Sequence, residues 1–483
     1  MNDVRTTRAL ILTALILGVA GDQLLDVREA RAGFAIFAFA VLGATYARVR
    51  RPALRLLLAL MGATALLQLV RFAPTLNLIS QGLFVGGGVT ALWVSGGGAL
   101  IGARAWDLLR VARSTALTFI AGAARLLSQW RTGATADRTT PLQLILGGAV
   151  LALPLLAIIT SLLSEADPIF ARGMQAIVDF VSGDLVSHAL TSAILAWIVA
   201  GWLQGMLRPV EDRAQRTDAP RFALAAHLPA LLGFILLLAA FLGVQARTLF
   251  GGAEFVRRTA GLSFAEYARG GFFELVAVAF LAVGLLLIVD ATLDRASEGA
   301  ERRFRASGWT LIGLVGVLAL SALHRMSVYV GAFGLSEDRI YALAAMAGIA
   351  ASLAWFGATV LRGRGDRLIP GLLGGAVIWV FGLHALDPDA LVARVNLSRA
   401  REGASFDIAY HVARSADAVP VLMGGARELG TPRCGQLVSD LAARWAVSAD
   451  QAADWRAWNL ALWRARRDLR GSSAELLRRR CGP

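Results

Sequence analysis

Long apolar runs recur along the chain, and short segments rich in arginine, acidic residues or glycine separate them. A helix that crosses the hydrocarbon core of a membrane needs about 20 mostly apolar residues, and somewhat shorter runs can span by tilt or local thinning. The pattern predicts eleven such helices. They lie near residues 8–21, 33–47, 53–72, 78–102, 141–163, 185–207, 223–244, 271–291, 308–330, 339–361 and 368–387. The predicted fold class is therefore all-α: a polytopic transmembrane helix bundle of about eleven spans with a helical extracytoplasmic C-terminal tail.

Arginine clusters occupy every second loop between the predicted spans, which is the distribution expected of cytoplasmic loops. The clusters comprise Arg48, Arg50, Arg51 and Arg55; Arg104, Arg110, Arg113, Arg125, Arg131 and Arg138; Arg208, Arg213, Arg216 and Arg221; Arg295, Arg302, Arg303 and Arg305; and Arg362, Arg364 and Arg367. We therefore predict a multi-pass protein of the bacterial inner membrane with a cytoplasmic N-terminus and an extracytoplasmic tail. Residues 243–270 are assigned to the outside by parity alone. The first span also resembles a signal peptide, but no clear cleavage site precedes Asp22, so an uncleaved span is favoured.

The composition supports a membrane protein, since 57% of the 483 residues are hydrophobic and only 17% are charged. The formal net charge of +14 would suggest nucleic acid in a soluble domain. Here the arginines line loops between apolar runs, so membrane lipids are predicted partners and nucleic acid is not. The chain contains no lysine, which excludes a Walker A loop, a pyridoxal Schiff base and a kinase-type lysine. No cofactor is predicted.

Three regions follow from these patterns: an N-terminal transmembrane region with interfacial helices (1–220), a C-terminal transmembrane region (221–387) and the tail (388–483). Residues 104–131 mix arginine with apolar residues, which indicates an interfacial helix on the cytoplasmic leaflet or a helical hairpin under the bundle. Residues 167–184 predict an outer helix, either a lid or a surface connector. In the tail, Trp455, Trp458 and Leu462 share one helix face, which favours a helix on the outer membrane surface or on the span ends.

Polar and ionisable residues gather near the predicted outer ends of spans eight to eleven and in the segment that follows. An ionisable side chain inside a membrane is costly unless it is paired or hydrated, so we expect these residues to meet in an outward-facing cavity. The candidate binding residues are Glu266, Tyr267, Arg269, Glu274, His324, Arg325, Tyr329, Tyr341, His384, Asp387, Asn396, Arg399, Asp407 and Tyr410. The alternative is that the arginines extend to lipid headgroups and the acids pair with them, which would tie helix ends together. No metal site is predicted, because the five histidines are scattered and no HxxxH or ExxH spacing occurs.

The only two cysteines, Cys434 and Cys481, both lie in the tail that the charge pattern assigns to the oxidising compartment. They are disulfide candidates. The alternative is two unrelated free thiols, because spacing alone does not show that the sulfurs meet.

Five segments of the second half carry a family resemblance: SFAEYARGGFFELV, YVGAFGLSEDRIYALA, HALDPDALVARVNLSRA, FDIAYHVARSADAVPVL and WRAWNLALWRAR. With them the chain resembles the uncharacterised bacterial integral membrane proteins of domain of unknown function 4173, which is close to domain of unknown function 4153. The resemblance covers roughly Arg221 to Arg467. It implies a polytopic membrane protein without an assigned activity, so no catalytic residue is carried over. The matching positions are Glu266, Tyr267, Arg269, Gly271, Phe272, Glu274, Tyr329, Tyr341, Asp387, Pro388, Asn396, Arg399, Asp407, Tyr410, Asp417 and Pro420.

Two classes of function fit this sequence. The first is a non-enzymatic envelope protein that recognises a solute, lipid headgroup or protein partner on the outer face, as a sensor, scaffold or transport component. The second is an integral membrane enzyme acting on a lipid-linked or amphiphilic substrate, with Glu274 or Glu266 as general base and Arg269 or Arg325 holding an anionic group. The sequence favours the first, because it contains no nucleophile motif, metal motif or cofactor fingerprint.

Overall fold

The computed structural model describes residues 2–26, 30–98, 115, 118, 122–126, 159–160, 163–164, 166–181, 184–208, 221–260, 272–296, 299–446, 454–471 and 473–482. The longer helices are α1 (Asn2–Leu25), α2 (Arg31–Tyr46), α3 (Pro52–Val70), α4 (Pro74–Ser95), α5 (Pro168–Val181), α6 (Asp184–Leu207), α7 (Leu224–Ala260), α8 (Phe272–Thr292), α9 (Ala300–Phe333), α10 (Glu337–Thr359), α11 (Leu368–Leu386), α12 (Pro388–Arg401), α13 (Ile408–Ala413), α14 (Val419–Gly425), α15 (Thr431–Trp445), α16 (Leu460–Asp468) and α17 (Ser473–Cys481). Short 3-10 helices cover Val360–Arg362, Gly365–Arg367, Ala416–Ala418, Ala426–Leu429 and Trp455–Ala457. In these ranges the only β-type pairing is one isolated bridge between Phe222 and Leu293. The all-α class is therefore confirmed for the described chain.

Eight of the described helices are long and apolar enough to cross a membrane. They run over Arg5–Leu25, Pro52–Val70, Pro74–Ser95, Ser187–Leu207, Leu224–Gln245, Ala300–Phe333, Glu337–Arg362 and Gly365–Leu386. Two more of the predicted spans correspond to shorter apolar helices, Arg31–Tyr46 and Val276–Thr292. The predicted span at 141–163 and the interfacial segment at 104–131 lie almost wholly outside the described residues. The chain is thus a multi-pass membrane protein, and the count of eleven spans stays a prediction.

Helix ends differ most from the predicted span ends at two places. The helix α7 continues to Ala260 although its apolar part ends near Gln245, and α9 begins at Ala300 although its predicted span begins at residue 308. Both extensions carry several charged residues, which are costly in hydrocarbon but do not prevent a helix from continuing in water. An apolar window therefore locates the membrane-embedded part of a helix rather than the helix itself.

The chain divides into two compact units. The first contains Met1–Gly98, Arg110–Arg213 and Val447–Trp463. In it α1 packs closely on α6, because Gly18 has no side chain: a Cβ atom there would lie 2.5 Å from the backbone oxygen of Ser192. The core between these helices and α2–α4 includes Leu58, Met61 and Leu203. Trp202 adds a polar contact by donating its indole N–H to the Thr45 hydroxyl at 2.8 Å.

The second unit contains Ala99–Leu109, Ala214–Ala446 and Arg464–Pro483. Its apolar core is formed by α7–α11 and includes the fully buried Leu231, Leu286, Phe304 and Phe356. A set of shorter helices, α12–α15 and α17, follows the last apolar helix; we call these five helices the cap. The predicted region boundaries at 220 and 387 stay predictions.

The chain passes from α11 directly into the cap at Asp387. This residue adopts the left-handed conformation (φ 55°), the only non-glycine residue to do so in the described chain. Asp387 both ends α11 and caps α12, because its carboxylate accepts a hydrogen bond from the Ala390 backbone N–H at 3.3 Å. Pro388 follows at the first helical position, where its missing N–H costs nothing. The sequence Asp-Pro-Asp therefore ends one helix and begins the next within a single residue.

A disulfide joins Cys434 on α15 to Cys481 at the end of α17, with 5.8 Å between the Cα atoms. Arg427 supports the same contact, because its Nε and Nη2 atoms each donate a 3.0 Å hydrogen bond to a backbone oxygen of α17, at Arg480 and Arg479. The helix α17 is thus held on the rest of the cap by a covalent bond and by two charge-assisted hydrogen bonds.

Candidate functional site

The turn between α9 and α10 is bonded to the cap through the amide of Asn396. Its Nδ2 donates to the Leu335 backbone oxygen at 2.7 Å, and its Oδ1 accepts from the Leu335 N–H at 3.0 Å. Gly334 permits this approach: it has φ 79°, and a Cβ atom there would lie 2.7 Å from the Asn396 Oδ1. A side chain 61 residues away in sequence thus pairs with the turn as a neighbouring strand would.

Two arginines satisfy the last backbone carbonyls of α9 and its turn, which have no partner inside the helix. Arg399, on α12, donates to Gly331 O at 2.8 Å and to Ala332 O at 3.2 Å. Arg339, on α10, donates to Gly334 O, and its guanidinium lies 4.1 Å from the centre of the Tyr329 ring. Both cations sit where the helix dipole favours positive charge.

Glu337, at the start of α10, forms the third link to the cap. Its backbone N–H donates to the Tyr410 hydroxyl at 2.9 Å, and its carboxylate accepts from Arg414. The Arg414 guanidinium also lies 4.6 Å from the centre of the Tyr410 ring. Asp407 orients this part of the cap, because its carboxylate accepts from the Tyr410 N–H at 2.9 Å and so caps α13. We call the contacts of Asn396, Arg399, Tyr410 and Arg414 with residues 331–337 the junction.

Buried carboxyl groups gather beside the junction. Glu337, Asp389 and Asp417 are exposed by only 8%, 5% and 6%, and Asp389 interacts electrostatically with the other two. Burial, followed by the charges of Glu337 and Asp417, raises the pKa of Asp389 to about 7. Ser415 acts against this rise by favouring the ionised carboxylate of Asp389, and its hydroxyl donates to Asp417 at 2.9 Å. Together with Asp387 we call these groups the carboxylate cluster; near neutral pH it holds a proton that an exposed aspartate would release.

The Tyr341 hydroxyl, on α10, points into the same region. It is buried and has no hydrogen-bond partner among the described residues, and it interacts electrostatically with all four carboxyl groups of the cluster. A buried phenol normally finds a hydrogen-bond partner. This hydroxyl is therefore a buried polar atom beside the junction to which no described residue forms a hydrogen bond.

His411 closes the junction as a neutral ring. Burial lowers its pKa to about 4, and its ring stacks on Phe406 with 4.5 Å between ring centres. The neutral Nε2 lies 3.2 Å from the Asn396 Nδ2 and accepts its second hydrogen. The orientation of Asn396 is thus held by groups on both sides.

The predicted site residues are distributed unevenly. Tyr329, Tyr341, Asp387, Asn396, Arg399, Asp407 and Tyr410 lie at or beside the junction. His324 is exposed and Arg325 is half-buried, one to two turns down α9. His384 is buried, with its Nδ1 3.0 Å from Val380 O of its own helix. Glu266, Tyr267 and Arg269 lie outside the described residues, as does the side chain of Glu274, so its predicted meeting with Arg325 stays a prediction.

Sequence analysis did not select Glu337, Asp389, His411, Arg414 or Ser415 as site residues. The second aspartate of Asp-Pro-Asp was a usable signal for Asp389, since the first turn of a helix that follows a membrane span lies near the membrane boundary. No comparable local signal marks His411 or Ser415.

A separate polar pair occurs in the first unit. Asp22, near the end of α1, is 3% exposed, and its Oδ2 lies 2.9 Å from the His188 Nδ1 on α6. Asp26 is 3.9 Å from the other ring nitrogen. Within the described ranges no set of three or more His, Cys, Asp or Glu side chains is arranged to hold a metal ion. This pair therefore fastens α1 to α6.

These features define a class: an all-helical, multi-pass membrane protein whose last apolar helix leads into a helical cap that is bonded to the turn between two earlier helices. A family model described as "Domain of unknown function (DUF4153)" matches residues 56–424, which is most of the chain. The protein belongs to this family. The match confirms the resemblance to the 4173 and 4153 group and assigns the chain to the second of the two. The matched region begins at residue 56, so the family includes much of the N-terminal half, in which the sequence showed no resemblance. The matched region ends at residue 424, before α15. No curated protein and no solved structure matches the chain.

Proposed function

We propose that this protein spans the bacterial inner membrane about eleven times, with its N-terminus in the cytoplasm and its cap outside. In this proposal it recognises an envelope solute, a lipid headgroup or a protein partner at the junction. It acts there as a sensor, scaffold or transport component and does not catalyse a reaction.

Contacts within each unit support the proposed sidedness. In the first unit Arg208, just past α6, donates to the Thr7 hydroxyl near the start of α1 at 2.7 Å. Ser95, at the end of α4, donates to Gly205 O near the end of α6 at 2.6 Å. Charge alternation assigns all these positions to the cytoplasmic side. In the second unit the cap contacts the α9–α10 turn, which the same alternation assigns to the outer side.

The observation that carries the proposed recognition is the buried Tyr341 hydroxyl beside the carboxylate cluster. The other polar groups of the described junction bind one another or the backbone and so hold its shape. The Tyr341 hydroxyl can serve as a donor or an acceptor for a small polar group. The cluster brings four carboxyl groups around this hydroxyl, which favours a ligand group that brings hydrogen-bond donors, such as an ammonium.

Thermal unfolding of the purified full-length protein in detergent tests this proposal with phosphoethanolamine, glycerol phosphate and inorganic phosphate as probes. We expect phosphoethanolamine to raise the midpoint temperature of unfolding of the wild-type protein. Tyr341→Phe should lose most of this shift, while Tyr46→Phe, which removes an exposed hydroxyl in the first unit, should keep it. Tyr341→Phe deletes only an atom without a hydrogen-bond partner in the described chain, so it should fold. Equal shifts in the two variants, or no shift with any probe, would contradict recognition of a solute or headgroup at the junction.

A further inference from the structure

The helix α2, which corresponds to one of the predicted spans, is shorter than the hydrocarbon core of a membrane. Its 16 residues, Arg31–Tyr46, extend over about 24 Å at about 1.5 Å per residue, whereas the hydrocarbon core of a bilayer is about 30 Å thick. Its flank is nevertheless apolar and open, with Ile36 exposed by 46% and Phe39 by 43%. The missing length must be made up by bilayer thinning, by tilt or by another part of the protein.

A segment from the far end of the chain lies at the Arg31 end of this helix. We call residues Asp454–Trp463 the strap. Its short 3-10 helix, Trp455–Ala457, packs against α2. Arg456 donates to Gln23 O near the end of α1, and its guanidinium is paired with Asp454. The strap is therefore fixed at one end of α2.

Asn459 fixes the second point of the strap. Its Nδ2 donates to Gln68 O at 2.8 Å and to Arg71 O at 2.9 Å, and both oxygens lie at the end of α3. The Oδ1 accepts from the Ala461 N–H at 2.9 Å, so the same side chain begins the following helix. Asn459 is 1% exposed, and these bonds use both ends of its amide. The strap thus crosses the ends of α1, α2 and α3 at one level.

The outward face of the strap is made of tryptophan. Trp455, Trp458 and Trp463 are exposed by 58%, 45% and 43%, while Asn459 and Ala461 face inward. Trp455 and Trp458 lie next to Arg456 and Asn459, which bond to the ends of α1 and α3, so this part of the strap lies at the level of those helix ends. Tryptophan concentrates at this level in membrane proteins, because its ring is apolar and its N–H needs a polar partner.

We propose that the strap is a membrane anchor whose Trp455, Trp458 and Trp463 side chains lie in the headgroup boundary of the adjacent lipid leaflet. The partner is the phospholipid interface itself, and the indoles supply the apolar length that α2 lacks. The strap belongs to the first unit and is independent of ligand recognition at the junction. It also holds for either orientation of the protein, since it concerns the leaflet next to the Arg31 end of α2.

The experiment uses the full-length protein in phosphatidylcholine vesicles whose acyl chains carry bromine either near the glycerol end or near the methyl end. Bromine quenches tryptophan fluorescence at short range, so the two lipids report shallow and deep positions. The variant replaces Trp455, Trp458 and Trp463 by phenylalanine, which keeps an apolar ring. The control is Trp445→Phe in the cap, where the indole is buried and its N–H is bonded to Val412 O.

The difference between the wild-type fluorescence and that of the triple variant is the signal of the three strap tryptophans. The shallow bromine should quench this signal at least about twofold more than the deep bromine does. The fluorescence lost in the Trp445→Phe control should respond to neither lipid. A strap signal that neither lipid quenches would mean that the indoles face water or protein, and deeper quenching would place them inside the hydrocarbon; either result overturns the proposal. If the triple variant does not insert, Trp455→Phe alone removes the most exposed indole and gives the same comparison.

Discussion

Replacement of Asp389 by asparagine should make the cap more stable at alkaline pH and remove much of its pH dependence. The reason is the direction of the pKa shift: burial and the neighbouring carboxylates of Glu337 and Asp417 raise the pKa of Asp389 from 3.8 to about 7. A raised carboxyl pKa means that the folded cap holds the proton more tightly than the unfolded chain does. The stabilisation is therefore fully present below pH 3.8 and is lost as the pH rises through 7. Asparagine resembles the protonated form and carries no charge to bury.

The size of the effect follows from the same two values. Each pKa unit corresponds to about 1.36 kcal/mol, so the shift from 3.8 to about 7 corresponds to about 4 kcal/mol across the whole window. Between pH 5 and pH 8 about two of these units fall inside the window, which gives roughly 3 kcal/mol of lost stability. The free energy of unfolding of the wild-type cap should decrease by this amount over that range.

Pulse proteolysis in increasing urea, read by mass spectrometry of cap peptides, measures the free energy of unfolding at the two pH values in one detergent. The control is Glu402→Gln, which neutralises an exposed carboxylate just after the same helix and should keep the wild-type pH dependence. Asp389→Asn should show a much smaller difference between pH 5 and pH 8. The reasoning is refuted if the wild-type cap is equally stable at both values, or if the asparagine variant keeps the full difference.

Three further predictions concern the cap. Asn396→Ala removes both bonds to Leu335 and should lower the free energy of unfolding by about 1–3 kcal/mol in the same assay, whereas the exposed Arg394→Ala should change it little; equal losses would show that the amide does not hold the turn. Replacing Cys434 and Cys481 by serine opens a loop of 47 residues and should cost about 4 kcal/mol, seen as earlier cleavage of α17; unchanged cleavage would contradict a stabilising disulfide. Alkaline phosphatase fused after Cys481 should be active and a fluorescent protein fused there dark, since we propose that the tail is extracytoplasmic; the reverse pattern would invert the proposed topology.

Much of the fold could be predicted because membrane helices are encoded locally. Apolar runs located the eight membrane-capable helices, and the last predicted span ends at 387, where α11 gives way to α12. The helix ends were predicted less well, as α7 and α9 show, because hydropathy reports the membrane boundary and not the end of hydrogen bonding.

The candidate site was predicted only in outline. Polarity selected Asn396, Arg399 and Tyr410, because polar groups near the membrane need partners or water. It overlooked Asp389 and His411, whose altered pKa values arise from burial by other parts of the chain. Burial is a property of packing, so no local pattern shows it.

The sequence by itself determined the class of this protein, its helices, the alternation of its loops and its family, since each depends on residues close together in the chain. Only the tertiary structure decided the partners. Asn396 bonds a turn 61 residues away, and Asn459 bonds Gln68 across 391 residues. A hydrogen bond needs two groups within about 3 Å, and for groups so distant in sequence that distance is decided by how the helices pack.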